Sequence, residues 1–171
     1  MSVERNFKLS EYDLKTYTLI YLISQGMILL LQRDDGKSDM AGKITGLGGK
    51  IEQGESLLDS AKREFYEESG LHIHDPELKG TFQWLDESKK ICMTHIIFAR
   101  QYSGELLEEN REGILAWYLI AKLQEIETLA QYQMMFLPYL LEDSNHFYSG
   151  IGEFRNEELI DYIDSKGGKN V

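Results

Sequence analysis

Cysteine is nearly missing from this sequence: Cys92 is the only one in 171 residues. That excludes an internal disulfide and suits a reducing compartment. Cys92 lies in an apolar run and reads as a small hydrophobe rather than a nucleophile. Positive charge is also scarce. Lys and Arg total 18 against 29 Asp and Glu, a formal net charge of −11. So acidic a chain is a poor partner for a nucleic-acid polymer or an anionic membrane, because both are polyanions. No apolar run reaches about 18 residues and the N-terminus carries no signal-peptide pattern, so a soluble, cytoplasmic protein is expected. Repeats, low-complexity tracts and linkers are absent. One α+β domain over residues 1–171 is therefore expected, with its core at about 15–165 and flexible ends at 1–14 and 167–171. The histidines at 72, 74, 95 and 146 show no metal-ligand spacing. No G-x-x-x-x-G-K-[ST] phosphate loop occurs, and the glycine spacing is wrong for a dinucleotide fold.

What stands out instead is Gly49 to Leu71, a glycine-rich loop running into an amphipathic helix. Ser56 is the predicted N-cap and Gly70 the predicted end, since glycine tolerates positive φ. Leu58, Ala61 and Phe65 share one face at spacings of three and four. Glu64, Glu67 and Glu68 lie beside that stripe, within about a third of the helix circumference. Two readings are open for them. Acidic helix faces are common as solvated surfaces. Alternatively, the cluster is a site for a hard divalent cation such as Mg²⁺, which takes oxygen ligands from carboxylates and phosphates.

The remaining elements read mostly as strands. Thr16–Ile23 and Met27–Gln32 form a predicted hairpin about Ser24-Gln25-Gly26. Residues 33–43 are a polar loop, and Ile44–Ile51 a short strand through three glycines that allow close backbone approach. Leu78–Leu85 and Ile91–Gln101 are predicted strands around an Asp86–Lys90 turn. Ser103–Glu112 is an acidic loop, Ile114–Ile120 a strand, and a short segment starts near Lys122. Tyr132–Leu141 is strongly apolar, with Pro138 against an uninterrupted helix. Asn145–Phe154 is predicted as a strand or hairpin, and Asn156–Ser165 as a terminal helix capped by Asn156.

The stretch from Gly49 resembles the Nudix box, G-x5-E-x7-R-E-U-x-E-E-x-G-U, where U is bulky and apolar. Gly49, Glu55, Arg63, Glu64, Phe65, Glu67, Glu68, Gly70 and Leu71 fill every fixed position. The resemblance implies an α/β/α sandwich around a mixed β-sheet. It also implies hydrolysis of a nucleoside diphosphate linked to another group, with Mg²⁺ or Mn²⁺ as cofactor and a small-molecule nucleotide as partner. On the same resemblance, Glu64, Glu67 and Glu68 fall on metal-binding positions and the carbonyl of Gly48 on a backbone ligand. Arg63 and Glu55 fall on supporting positions that fix the carboxylates. A further acid from outside the box is matched best by Glu112, with Glu108 and Glu109 competing for the role.

The sequence L-G-G-K-I-E-Q-G-E-S and the tail HFYSGIGEF look like MutT-type triphosphatases of oxidised purine nucleotides. The implied reaction yields a nucleoside monophosphate and pyrophosphate. Candidate substrate contacts are Arg33, at the end of the second strand, Lys50, after the double glycine, Thr45 and Gln133. Two departures concern the last pair. Thr45 stands where such enzymes commonly carry asparagine. Tyr132 and Gln133 stand where the vertebrate enzymes carry two aspartates that read the base edge. Phe82, Trp84 and Trp117 are candidates to stack on a base, or are core residues. ADP-ribose and dinucleoside polyphosphates remain alternative substrates, and a non-catalytic nucleotide sensor is the alternative class. The chain is expected to be a monomer or a homodimer.

Overall fold

The computed structural model describes residues 14–36, 40–85, 88, 90–156 and 158–165. The ends expected to be flexible fall almost wholly outside these, as do Asp86, Glu87 and Lys89 of the expected turn. Strand β1 (Lys15–Ser24) turns at Gln25 and Gly26, both at positive φ (51° and 75°), into β2 (Met27–Arg33). Positive φ at both central residues matches the twist of a two-residue hairpin. Strand β3 (Ile44–Thr45) precedes helix α1 (Leu57–Ser69), and β4 (Leu71–His74) follows it. Then come β5 (Glu77–Leu85), β6 (Ile91–Ala99), β7 (Gln101–Gly104), β8 (Glu109–Asn110) and β9 (Gly113–Leu119). Two 3-10 helices (Ile120–Glu125 and Gln131–Met135) lead to α2 (Leu137–Glu142), which carries Pro138 in its first turn, where proline is tolerated. Strands β10 (Tyr148–Arg155) and β11 (Glu158–Asp164) complete the described chain.

The main sheet runs β11-β10-β5-β6-β1-β2-β9-β8, with β3 also on β2, while β4 and β7 pair separately. It is mixed: β1 lies parallel to β6 and β10 parallel to β5, and the other pairs are antiparallel. Leu19, Tyr21 and Ile23 of β1 enter one apolar layer, shared with Leu137 and Leu140 of α2. Ile20 and Leu22 enter the other, shared with Ala61 and Phe65 of α1. A strand covered on both faces reads as one apolar run rather than as an alternation. The result is the expected α/β/α layering.

Two sequence-based expectations are corrected. Asn156–Ser165 is not a helix. Asn156 sits at φ 50° beside the turn, and the chain returns as β11 along the free edge of β10. That edge offers backbone donors and acceptors which a helix would leave unpaired, and Leu159 enters the core from it (6% exposed). The acidic stretch Ser103–Glu112 is also partly ordered as sheet, with Leu71 opposite Gly104 and Glu109 opposite Ile114. Among the described residues no helix is long and apolar enough to cross a membrane.

Candidate active site

The site is built where the loop after β3 presses against β1 and the start of α1. Thr18 N–H donates to the Gly49 carbonyl at 2.8 Å, and Ile20 N–H donates to the Leu47 carbonyl at 2.7 Å. Gly48 is at φ 137°, and a side chain there would run into the Thr18 carbonyl. A Cβ on Gly49 would lie 2.5 Å from Cδ of Glu64. The double glycine is therefore required twice over, once by backbone conformation and once by a carboxylate packed on its surface. Ser56 caps α1 as predicted, its Oγ accepting Asp59 N–H at 3.2 Å, and Gly70 ends the helix at φ 73°. Buried Ala61 and Phe65 pin the adjoining face, so the helix cannot roll its acids away from the loop.

Arg63 organises the carboxylates. Its Nε and Nη2 donate to the two oxygens of Glu55 at 2.5 and 2.8 Å, a fork-to-fork pair. Its Nη1 donates to Glu64 at 2.8 Å and to Glu67 at 3.3 Å. These bonds hold the Glu55 carboxyl down at about 2 and raise Arg63 above its ordinary value. Burial pushes Glu64 up, against the pull of Arg63. Glu68 accepts Gly48 N–H at 2.8 Å. Burial nevertheless drives its carboxyl up to about 7, with the charges of Glu64 and Glu112 adding to the effect.

Glu112 reaches the same region from the β8–β9 turn and pairs with Arg33 Nη2 at 3.1 Å. As the side chains stand, no three acidic, histidine or cysteine groups among the described residues are arranged to hold a metal ion. Arg63 lies between Glu64 and Glu67 instead. The donor set nevertheless fits a hard divalent cation: carboxylates and a backbone carbonyl, with one buried carboxylate whose charge nothing nearby fully offsets. Glu64, Glu67, Glu68, Glu112 and the Gly48 carbonyl are the groups that would hold it.

Beside this cluster opens a cavity of about 770 Å³. Gly48, bonded to Glu68, Arg33, paired with Glu112, and Thr45 are on its wall, and Tyr17, Trp84 and Phe154 contribute aromatic surface. Tyr17 and Trp84 stack with centroids 6.1 Å apart, and Phe154 meets Trp84 edge-on at 5.9 Å. Trp84 Nε1 donates to Thr94 Oγ1 at 3.0 Å, which fixes the ring. Two buried polar atoms on this wall, Thr45 Oγ1 and Arg33 Nε, have no hydrogen-bond partner among the described residues. Burial pushes the Tyr132 hydroxyl up to about 12.

The sequence-predicted residues thus divide. Glu55, Arg63, Glu64, Glu67 and Glu68 share one hydrogen-bonded face with Gly48, and Glu112, paired with Arg33, lies near enough for its charge to act on Glu68. Thr45 and Arg33 face the cavity. Lys50 is exposed and offers only its carbonyl to Arg63, at 3.4 Å. Gln133, read as a substrate contact, lies in the core with none of its surface exposed. Its Oε1 accepts Tyr21 Oη–H at 2.7 Å and Gly46 N–H at 3.1 Å, and its Nε2 donates to the Ile44 carbonyl at 2.8 Å. Those bonds brace the wall that carries Thr45 and leave the amide with nothing to offer a ligand. Trp117 packs on Tyr102 in the α1 layer and is not on the cavity, whereas Phe82 and Trp84 line it. Glu108 and Glu109 are exposed. Sequence reasoning missed Tyr17 and Phe154 as cavity walls, while Tyr132, singled out only as a departure from a base-reading aspartate, also lines the cavity. The aromatic character of HFYSGIGEF was the one signal available for Phe154.

The NUDIX domain family model matches residues 14–140. An oxidized purine nucleoside triphosphate hydrolase of Danio rerio is 30% identical over 148 residues, covering 85% of this chain and 90% of that protein. The Bacillus subtilis (strain 168) Nudix hydrolase YvcI, itself uncharacterized, is 33% identical over 117 residues, 66% of this chain and 71% of that protein. The crystal structure of a mutator MutT protein from Bacillus halodurans superposes with a TM-score of 0.79 at 28% identity, covering 90% of this chain and 99% of that one. A glycine loop packed on a carboxylate helix, opening on a nucleotide-sized cavity and matched along most of its length, makes this chain a MutT-like member of the Nudix family, an enzyme that hydrolyses acid anhydrides.

Proposed function

We propose that the protein is a divalent-cation-dependent, cytoplasmic pyrophosphohydrolase of nucleoside triphosphates, acting as one domain and releasing a nucleoside monophosphate and pyrophosphate. The observation that carries the reading is the shared wall. Gly48 lines the aromatic cavity and also donates to Glu68, so a base in the cavity leads its phosphates onto the carboxylates. A Mg²⁺ or Mn²⁺ ion held there offsets phosphate charge and lowers the pKa of the attacking water.

The chain's own groups supply the rest. Trp84, Tyr17 and Phe154 bind the base and exclude water from it. Arg33 places its guanidinium between cavity and carboxylates, where a phosphate oxygen can pair with it. Arg63 and Glu55 hold Glu64 and Glu67 in place. Water adds to phosphorus, the anhydride P–O bond breaks, and pyrophosphate leaves with that oxygen. One of Glu64, Glu67 and Glu112 takes the proton from the water.

Oxidised purine nucleoside triphosphates are the first substrates to test, because the zebrafish relative is named for them. Tyr132 and Gln133 present no carboxylate to the base, so weak discrimination between oxidised and normal purines is expected here. The test is a panel of normal and oxidised nucleoside triphosphates, ADP-ribose and dinucleoside polyphosphates with Mg²⁺ or Mn²⁺, with products identified. Monophosphate and pyrophosphate from a triphosphate support the reading. Turnover only of ADP-ribose or dinucleoside polyphosphates replaces the substrate, and no turnover at all refutes the reading.

A further inference from the structure

The side chain of Asn110 spans two parts of the site that are otherwise separate in the chain. Its Nδ2 donates to the carbonyl of Glu68 at 2.6 Å, at the C-terminal end of α1. Its Oδ1 accepts the N–H groups of Glu112 and Gly113, at 2.6 and 3.1 Å. One amide thus closes the β8–β9 turn and fastens that turn to the helix that carries Glu64, Glu67 and Glu68. The turn has little freedom otherwise. Asp34 N–H donates to the Glu112 carbonyl at 3.0 Å, and Gly113 leaves no room for a side chain against the Gln32 carbonyl. A second tie to the end of α1 lies three residues earlier, where Leu107 N–H donates to the Ser69 carbonyl at 2.9 Å, but Asn110 Nδ2 is the one that leaves from the turn itself among the described residues.

We propose that Asn110 is a positioning residue for the hydrolytic reaction: it sets the place of the Glu112 carboxylate relative to the α1 carboxylates. The proposal rests on the reading above that Glu112 belongs to the site. The amide is well suited to the task. Asparagine offers one acceptor and two donors on a short stem, so it can accept from the turn while it donates to the helix end. The α1 carbonyls near Glu68 are among those that a helix leaves without an internal partner. Serine or threonine at 110 can still accept from the turn, as short hydroxyl side chains do. Neither can reach the Glu68 carbonyl with a second group. Such a variant keeps the turn and severs the tie.

The test compares Asn110→Ser, Glu112→Gln and the double variant in the full-length protein, with Asn110→Thr in reserve. Readouts are kcat, KM and, apart from activity, Mn²⁺ affinity of the nucleotide-free protein by electron paramagnetic resonance. Asn110→Ser is expected to lower kcat about tenfold or more and to weaken Mn²⁺ binding, with KM changed less than about threefold. The double variant is expected to be no slower than Glu112→Gln alone, since the tie acts through Glu112. If Glu112→Gln is slow but Asn110→Ser is not, or the two effects multiply independently, the proposal is overturned and the place of Glu112 in the site stands. If Glu112→Gln itself keeps full rate, the reading of Glu112 has failed, and the proposal with it. If both Asn110 variants unfold below the assay temperature, the amide serves the fold and the proposal is overturned.

Discussion

The carboxylate of Glu68 accepts the backbone N–H of Gly48 at 2.8 Å. The residue whose carbonyl is expected to face the cation is thus held by one of the carboxylates expected to share it. The bond only partly offsets burial, which leaves Glu68 at about 7. A carboxyl raised above its unfolded value binds more protons folded than unfolded, so stability falls as pH rises from about 4.5 to about 7. For the metal-free protein, the loss relative to Glu68→Gln should amount to roughly 2 kcal/mol over that range, read from urea midpoints at several pH values. Excess Mg²⁺ should cancel most of it, because the cation binds the ionised form. A metal-free stability difference that does not change with pH would contradict the assignment. Glu55 works in the opposite sense. Held at about 2 by Arg63, it stabilises above its unfolded value and loses that contribution as pH falls toward 2.

Arg63 satisfies three carboxylates with one planar fork. Lysine keeps the charge and loses the geometry. Arg63→Lys should lower kcat by about ten- to a hundredfold and leave the fold intact by circular dichroism. Full activity in the lysine variant would mean that only charge matters at this position.

Gly49→Ala places a methyl group against the Glu64 carboxylate. The neighbour to give way is the acid itself, so the expected cost falls on function: a rate at least about tenfold lower and weaker Mn²⁺ binding. Stability should drop by about 1–3 kcal/mol, as for other overpacked sites. Both are measurable on one preparation, by kinetics and by thermal melting.

Trp84→Ala and Phe154→Ala remove cavity wall without touching a carboxylate. Each should raise KM for a nucleotide substrate about five- to a hundredfold, the range that one base–aromatic stack commands. The kcat at saturation should move much less. A fall in kcat at unchanged KM would place the base elsewhere.

Gln133→Leu should destabilise the fold by about 3 kcal/mol, because Tyr21 Oη–H and Gly46 N–H lose their shared acceptor in a dry interior. A melt coincident with that of the unmodified protein would contradict this role.

Much of this was legible in the chain itself. The capping of α1 and most of its buried face depend on neighbours three and four residues apart, which a sequence displays directly, although Leu58 of the expected stripe is exposed and Leu57 packs on the core instead. The hairpin of β1 and β2 is equally local. The sequence does not reveal that Gln133 is a core residue, because its partners, Tyr21 and Gly46, are distant in sequence and nothing near an amide shows whether it faces core or ligand. The segment after Asn156 was read as a helix because its own pattern permits one. What decides it is the unpaired edge of β10, which exists only once β10 lies beside β5. Thr45 and Arg33 both line the cavity, but their unpartnered atoms are properties of the assembled wall.

The parallel pairing of β1 with β6 sets Lys15 opposite Cys92, and that of β10 with β5 sets Tyr148 opposite Gly80. Both are long loop closures, and contacts of that separation form slowly. Thr18, which braces the double glycine, sits in the first of these strands, and Phe154, which closes the cavity, in the last. Strand β1 and the carboxylate helix both lie well before β10 in the chain, so the aromatic wall that Phe154 supplies is the last part of the site in chain order. Activity is therefore expected to require the pairing of β10 with β5, which would make activity itself a sensitive reporter of complete folding.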